Sequence, residues 1–186
     1  MESTSEAVAS GQDTNDLGHV IFFYIPISRL IFMSILSCGV YEAYWIYKNW
    51  SYLKNRDHRY HIEPFWRGWM GIFYCHSLLK TMHADRELRI EGAPRFAPKL
   101  LATIWVILIL TAYAMGHNPS VNLEETMIAL IIPSCLCFVP IQLHVNRVNR
   151  KVDPCANYAK WTKGHIVCLV AGLLIWGRML LGIGMD

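Results

Sequence analysis

Residues 41–56, Tyr-Glu-Ala-Tyr-Trp-Ile-Tyr-Lys-Asn-Trp-Ser-Tyr-Leu-Lys-Asn-Arg, hold six aromatic rings and three cations directly after an apolar run. Rings followed by cations mark the place where a helix leaves hydrocarbon and enters the cytoplasmic headgroups. This stretch alone sets the class of the chain, a small polytopic membrane protein, and gives the side on which its loops lie.

Composition agrees. Charged residues make up 17% of the chain, against about 25% in an ordinary soluble protein. The mean hydropathy of +0.27 leaves room for sizeable polar loops. At 186 residues the length fits one domain. The six cysteines (Cys38, Cys75, Cys135, Cys137, Cys155, Cys168) show no Cys-x-x-Cys spacing, and five lie in or beside apolar runs. Buried reduced thiols are expected, with no metal site and no cofactor.

Residues 1–21 carry Glu2, Glu6, Asp13 and Asp16 and no Lys or Arg. Without a basic n-region they read as a disordered acidic tail, not as a secretion signal. Residues 22–186 form the membrane domain. A first span is predicted from Ser28 to Tyr47, its helix continuing to Asn55. Pro64 opens a second segment of only 15 residues before Lys80, interrupted by Arg67 and His76. Crossing takes about 20 apolar residues, so this segment reads as interfacial or re-entrant. Lys99 to Met115 is the clearest span, with no charge from Leu100 to Ala114. Glu125 to Val145 is a span kinked by Pro133 and Pro140. The last, His165 to Met185, carries Gly172, Gly177, Gly182 and Gly184, which invite close helix contact.

The loop cations fix an orientation. The loops after the first, second and fourth segments hold four, four and five Lys or Arg. The tail, the third loop and the end beyond Arg178 hold none. Positive loops belong in the cytoplasm. The predicted fold is therefore an all-α bundle of four spanning helices plus one short interfacial or re-entrant helix, with both termini outside. Five spans, with the tail in the cytoplasm, are the alternative.

Several short motifs point to a family. Arg29-Leu30-x-x-Met33-Ser34 precedes Gly39-x-Tyr41-x-x-Tyr44-Trp45-x-Tyr47-x-Asn49-Trp50, and later come Pro64-Phe65-Trp66-Arg67 and Gln142-x-x-x-Asn146-Arg147-x-Asn149. Together they resemble a group of uncharacterised bacterial integral membrane proteins. Related families share the Gly-x-Tyr-x-x-Tyr-Trp core, sometimes beside an N-terminal zinc ribbon, but here the tail has no cysteine. The resemblance implies a multi-pass protein of the bacterial inner membrane and carries no activity.

Three constellations are candidate sites. Glu42 and Arg67 are intramembrane charges, suited to an ion or proton site or to a structural ion pair. Gln142, Asn146 and Asn149 share a helix face by i, i+4, i+7 spacing. With Arg147 beside them they suit either a neighbouring helix or an anionic lipid headgroup. Tyr41, Tyr44, Trp45, Tyr47 and Trp50 read as an aromatic interface belt. His76 and His83 share a face, but Lys80 lies between them and speaks against a metal. No catalytic triad, phosphate loop or paired acid is present. The reading is a structural, accessory or interaction subunit of the inner membrane. Its partners are the bilayer, anionic phospholipid at the cytoplasmic loops, and a second copy or another membrane protein, with no nucleic acid. A small oligomeric transporter or channel is the alternative, and a lipid-modifying enzyme using His76, His83 or Asp85 the third.

Overall fold

A computed structural model describes residues 21–56, 62–92, 94–117, 123–154 and 161–180. The acidic tail, His58, Arg59, His61, Cys155, Lys160, Gly182 and Gly184 lie outside them. The described residues are all-helical: α1 (Ile27–Leu36), α2 (Val40–Arg56), α3 (Pro64–Trp69), α4 (Gly71–Ala84), a 3-10 turn over Glu87–Glu91, α5 (Pro98–Gly116), α6 (Leu123–Leu136), α7 (Val139–Val152) and α8 (Lys163–Leu180).

The segment expected as one helix from Ser28 to Tyr47 is two. Cys38 and Gly39 both take positive φ, 49° and 84°. The Gly39 amide reaches back to the Ser34 carbonyl at 2.9 Å, closing α1 in a Schellman-type turn. Ser37 Oγ then accepts the Tyr41 amide at 2.8 Å and caps α2. Contacts along α8 show that the chain folds back here. Arg29 lies over Trp161, and Tyr44 bonds Thr162, both at the start of α8. Leu36 and Ser37 meet Gly172, about 12 Å further along at 1.5 Å per residue. So α1 runs with α8 and α2 returns against it. A methyl group on Gly172 would land on the Leu36 carbonyl, and that is the close approach the glycine allows.

The short second segment also turns back on itself. Along α3, Glu63 meets Lys54, Arg67 meets Trp50, and Gly68 packs on Tyr47 and Ala43, so α3 runs antiparallel to α2. The chain turns at Met70. Along α4, Gly71 touches Ile46 and Trp105, and Asp85 just beyond it bonds Arg56. The Arg67 guanidinium lies 4.3 Å from the Trp50 ring centre and 5.0 Å from that of Tyr74, joining both arms.

Two helical stretches are long and apolar enough to cross a membrane: Pro98–Gly116 and Ala129–Val152, with mean hydropathies of 1.8 and 1.6. The second includes the end of α6 and all of α7. The kink predicted from Pro133 and Pro140 appears as a break at Cys137 and Phe138, with Pro140 in the first turn of α7. Of the four spans expected, these two are long and apolar enough among the described residues.

The core joins every layer. Trp45, Trp50, Tyr41, Phe22, Phe138 and Leu30 are among its largest fully buried side chains. The apolar residues left outside include Leu100, Ile104, Ile107 and Leu110 on α5, Ile166, Val167, Val170, Leu173 and Leu174 on α8, and an aromatic set on α3 and α4.

Candidate functional site

Glu42 sits in the first turn of α2, immediately after the Cys38–Gly39 turn, and is fully buried. Trp105 on α5 donates its indole N–H to Oε2 at 2.6 Å. Ser134 on α6 meets Oε1 at 2.6 Å, and the same hydroxyl lies 2.8 Å from the Ile131 carbonyl. One carboxyl thus joins three helices. Cys75 on α4, together with Cys135 and Cys137 at the end of α6, lies within electrostatic reach. No described cation bonds to Glu42.

A second centre is a frame of four amides holding an extended chain. Pro26 restricts Ile25 to extended geometry, so residues 21–25 approach α1 with no helical partner for their main chain. Five of those groups are taken up by side chains. Asn149 Oδ1 accepts from the Ile21 amide at 3.1 Å, and its Nδ2 donates to the Phe22 carbonyl at 2.8 Å. Asn49 Oδ1 accepts from the Phe23 amide at 3.3 Å. Gln142 Nε2 donates to the Phe23 carbonyl at 3.0 Å, and Asn146 Nδ2 to that of Ile25 at 2.7 Å. Gln142 Oε1 in turn accepts the Trp45 indole N–H at 2.6 Å. Asn49, Gln142 and Asn149 are fully buried.

The third centre docks α8. The Thr162 amide donates to His165 Nδ1 at 3.1 Å, which makes Nδ1 the unprotonated nitrogen. Nε2 therefore carries the ring proton and donates to Tyr41 Oη at 3.1 Å. Thr162 Oγ1 is 2.6 Å from Nδ1 and 2.9 Å from the Tyr44 hydroxyl. Phe23 packs against Tyr44, Tyr52 and His165 and ties this network to the extended segment.

The structure places the predicted residues differently from their expected roles. Glu42 and Arg67 do not pair: the carboxyl is held by Trp105 and Ser134, and the guanidinium by two rings. Gln142, Asn146 and Asn149 do share a face, as their spacing predicts. That face is closed by residues 21–25, not open to a lipid headgroup, while Arg147 is exposed on the opposite side. The aromatic belt is mostly core. Tyr41 and Trp45 are fully buried and Trp50 is 2% exposed, whereas Tyr44 and Tyr47 are half-buried. Burial wins because α3 and α8 cover both flanks of α2. Four of the outward rings, Phe65, Trp66, Trp69 and Phe73, lie on α3 and α4, each more than half exposed.

The histidines separate as well. His76 meets Thr103 at 3.1 Å, while His83 lies edge-on to Phe96. Asp85 bonds Arg56 and accepts the Glu87 and Leu88 amides of the 3-10 turn. Among the described residues no group of three His, Cys, Asp or Glu is placed to hold a metal ion. Sequence reasoning missed Trp105, Ser134, Thr162 and His165 as site residues. Only His165 carried a signal, a histidine opening an apolar helix.

The chain matches no known family, no curated protein and no solved structure.

Proposed function

We propose that this is a multi-pass protein of the bacterial inner membrane acting as a structural or accessory interaction subunit. The observation that carries the reading is how the polar groups are used. The interior amides, carboxyl and imidazole are bonded to the chain's own atoms. The surface offered to the surroundings is apolar on α5 and α8 and aromatic on α3 and α4. Polar groups satisfied internally suit a lipid surrounding, and the apolar and aromatic outer faces are what remains for a neighbour. The likeness of the Gly39–Trp50 motif to uncharacterised bacterial membrane proteins supports the same assignment.

The contacts also favour a membrane arrangement with three crossings, α5, α6 with α7, and α8. In it the two hairpins α1–α2 and α3–α4 enter and leave on the same side. Ile21 is bonded to Asn149, Phe22 lies under Arg56, and Tyr24 bonds Arg150. The segment entering α1 lies at the cationic end, which supports a cytoplasmic side for the tail over an outer one. All 13 loop cations then lie on that side, in keeping with the positive-inside rule. The outer leaflet receives the loop after α5 and the end of α8.

Single cysteines at Ser10, His58, Glu91, Asn118 and Lys160, in a cysteine-free background, test this with an impermeant thiol reagent on intact cells. Labelling at Asn118 alone is expected. Labelling at Ser10 would restore a fourth crossing, and labelling at His58 a fifth.

One observation favours transport as a second reading. Three breaks, at Cys38–Gly39, Met70 and Cys137–Phe138, gather around one buried acid, and broken helices meeting at a membrane charge are a transporter device. Loss of an ion flux in Glu42→Gln, at unchanged abundance, would favour it over the interaction subunit.

A further inference from the structure

We infer that Glu42 is a proton-binding site, holding its proton as a neutral carboxylic acid in this conformation. The hydrogens available at the site require it, whether or not the chain crosses a membrane. Five polar atoms form a chain: Trp105 Nε1, the two Glu42 oxygens, Ser134 Oγ and the Ile131 carbonyl oxygen. The indole can only donate, so its hydrogen serves Oε2 at 2.6 Å. The backbone carbonyl can only accept. The Ser134 hydroxyl has one hydrogen, yet it meets Oε1 at 2.6 Å and the Ile131 oxygen at 2.8 Å.

With an ionised Glu42, both neighbours of that hydroxyl are acceptors competing for one hydrogen. One of the two short contacts is then between oxygens with little or no hydrogen to share. With a proton on Oε1, every contact is satisfied in one direction. Oε1–H donates to Ser134 Oγ, the Ser134 hydroxyl donates to the Ile131 carbonyl, and the Trp105 indole donates to Oε2. A buried carboxylate also needs a cation or several donors to stay charged. Here no described cation reaches it, and the other titratable groups nearby are thiols, Cys75 on α4 and Cys135 and Cys137 at the end of α6. The dipole of α2 favours the anion at its first turn, but the Val40, Tyr41 and Glu42 amides are taken by Ser37 and Gly39 and supply no hydrogen to the Ser134 contact.

The site is built to report its proton. Release makes the Ser134 hydroxyl choose between Glu42 and the Ile131 carbonyl, one turn before the Cys137–Phe138 break. The proton thereby bears on how α6 is held against α2.

Infrared spectroscopy of the purified full-length protein tests the inference, because a neutral carboxyl shows a carbonyl stretch that a carboxylate lacks. The expected result is a protonated-carboxyl band at neutral pH that disappears in Glu42→Gln. This variant keeps wild-type abundance and thermal midpoint, since its amide donates to Ser134 and accepts from Trp105 in the same geometry. Absence of the band in wild-type protein at neutral pH overturns the proposal, even if the variant fails to fold. Persistence of the band unchanged in Glu42→Gln overturns it too.

Discussion

Asn149 grips the main chain of Ile21 and Phe22 with both ends of one amide, accepting from the first at 3.1 Å and donating to the second at 2.8 Å. The side chain is fully buried, so water cannot replace either bond. Asn149→Asp keeps the acceptor and loses the donor, leaving the Phe22 carbonyl without its amide. Asn149→Leu loses both. A buried polar group left without its partner costs about 1–3 kcal/mol. Both variants are expected to lower the thermal midpoint in detergent, with the double loss the larger. Equal midpoints for wild type and Asn149→Leu would mean that the extended segment is held by its rings alone.

Three buried tryptophans use their indole nitrogens unequally. Trp45 donates to Gln142 and Trp105 to Glu42, each at 2.6 Å, while Trp50 Nε1 has no partner among the described residues. Substitution by Phe removes the N–H and keeps most of the ring. Trp45→Phe and Trp105→Phe each leave a buried acceptor short of a donor, at about 1–3 kcal/mol. Trp50→Phe loses no hydrogen bond and is expected to be the mildest of the three. Chemical or thermal unfolding of the three variants side by side checks the order.

Gly172 and Gly177 lie on the same helix and meet different surroundings. A methyl at Gly172 collides with the Leu36 carbonyl and the Ser37 backbone, where α8 crosses the α1–α2 turn. A methyl at Gly177 meets nothing within 4 Å. Overpacking of a close contact costs about 1–3 kcal/mol. Replacing glycine in an open helix position gains up to about 1 kcal/mol. Gly172→Ala is therefore expected to destabilise and Gly177→Ala to be neutral or stabilising, as read from midpoints and from abundance in the membrane.

Much of this was legible in the sequence. The helical segments followed from apolar runs and prolines, and the shared face of Gln142, Asn146 and Asn149 from their spacing. The short second segment was already too brief to cross. What the sequence could not give was the occupant of each face. Helical periodicity says that three amides point one way, but not that an extended segment more than a hundred residues earlier lies under them. Glu42 finds its partners 63 and 92 residues away, where no local pattern links them. The aromatic run misled for a related reason. Tyr41, Trp45 and Trp50 carry the composition of an interface belt, yet the turn at Cys38–Gly39 brings α2 back into the bundle, where Tyr41 meets His165 of α8, Trp45 meets Phe138 and Gln142 of α7, and Trp50 lies under Arg67 of α3. That turn was visible only as a glycine in a motif.

The absence of a Glu42–Arg67 pair can be tested by a double-mutant cycle. Removing the carboxylate from one position and the guanidinium from the other should give additive effects, because residues with separate partners couple by no more than about 0.3–0.5 kcal/mol. Arg67 is held instead over Trp50 and Tyr74, at 4.3 and 5.0 Å from their ring centres. A cation over an aromatic face contributes about 0.5–1 kcal/mol when exposed and about 2 when desolvated. The cycle of Arg67→Gln with Trp50→Leu should therefore show a coupling in that range. The cycle of Arg67→Gln with Glu42→Gln should show none. Arg67→Lys separates the two models further. A lysine would preserve an ion pair but loses the flat guanidinium that lies on both rings. Destabilisation by Arg67→Lys close to that of Arg67→Gln is expected. Full retention of stability by lysine, together with measurable coupling to Glu42, would restore the pair.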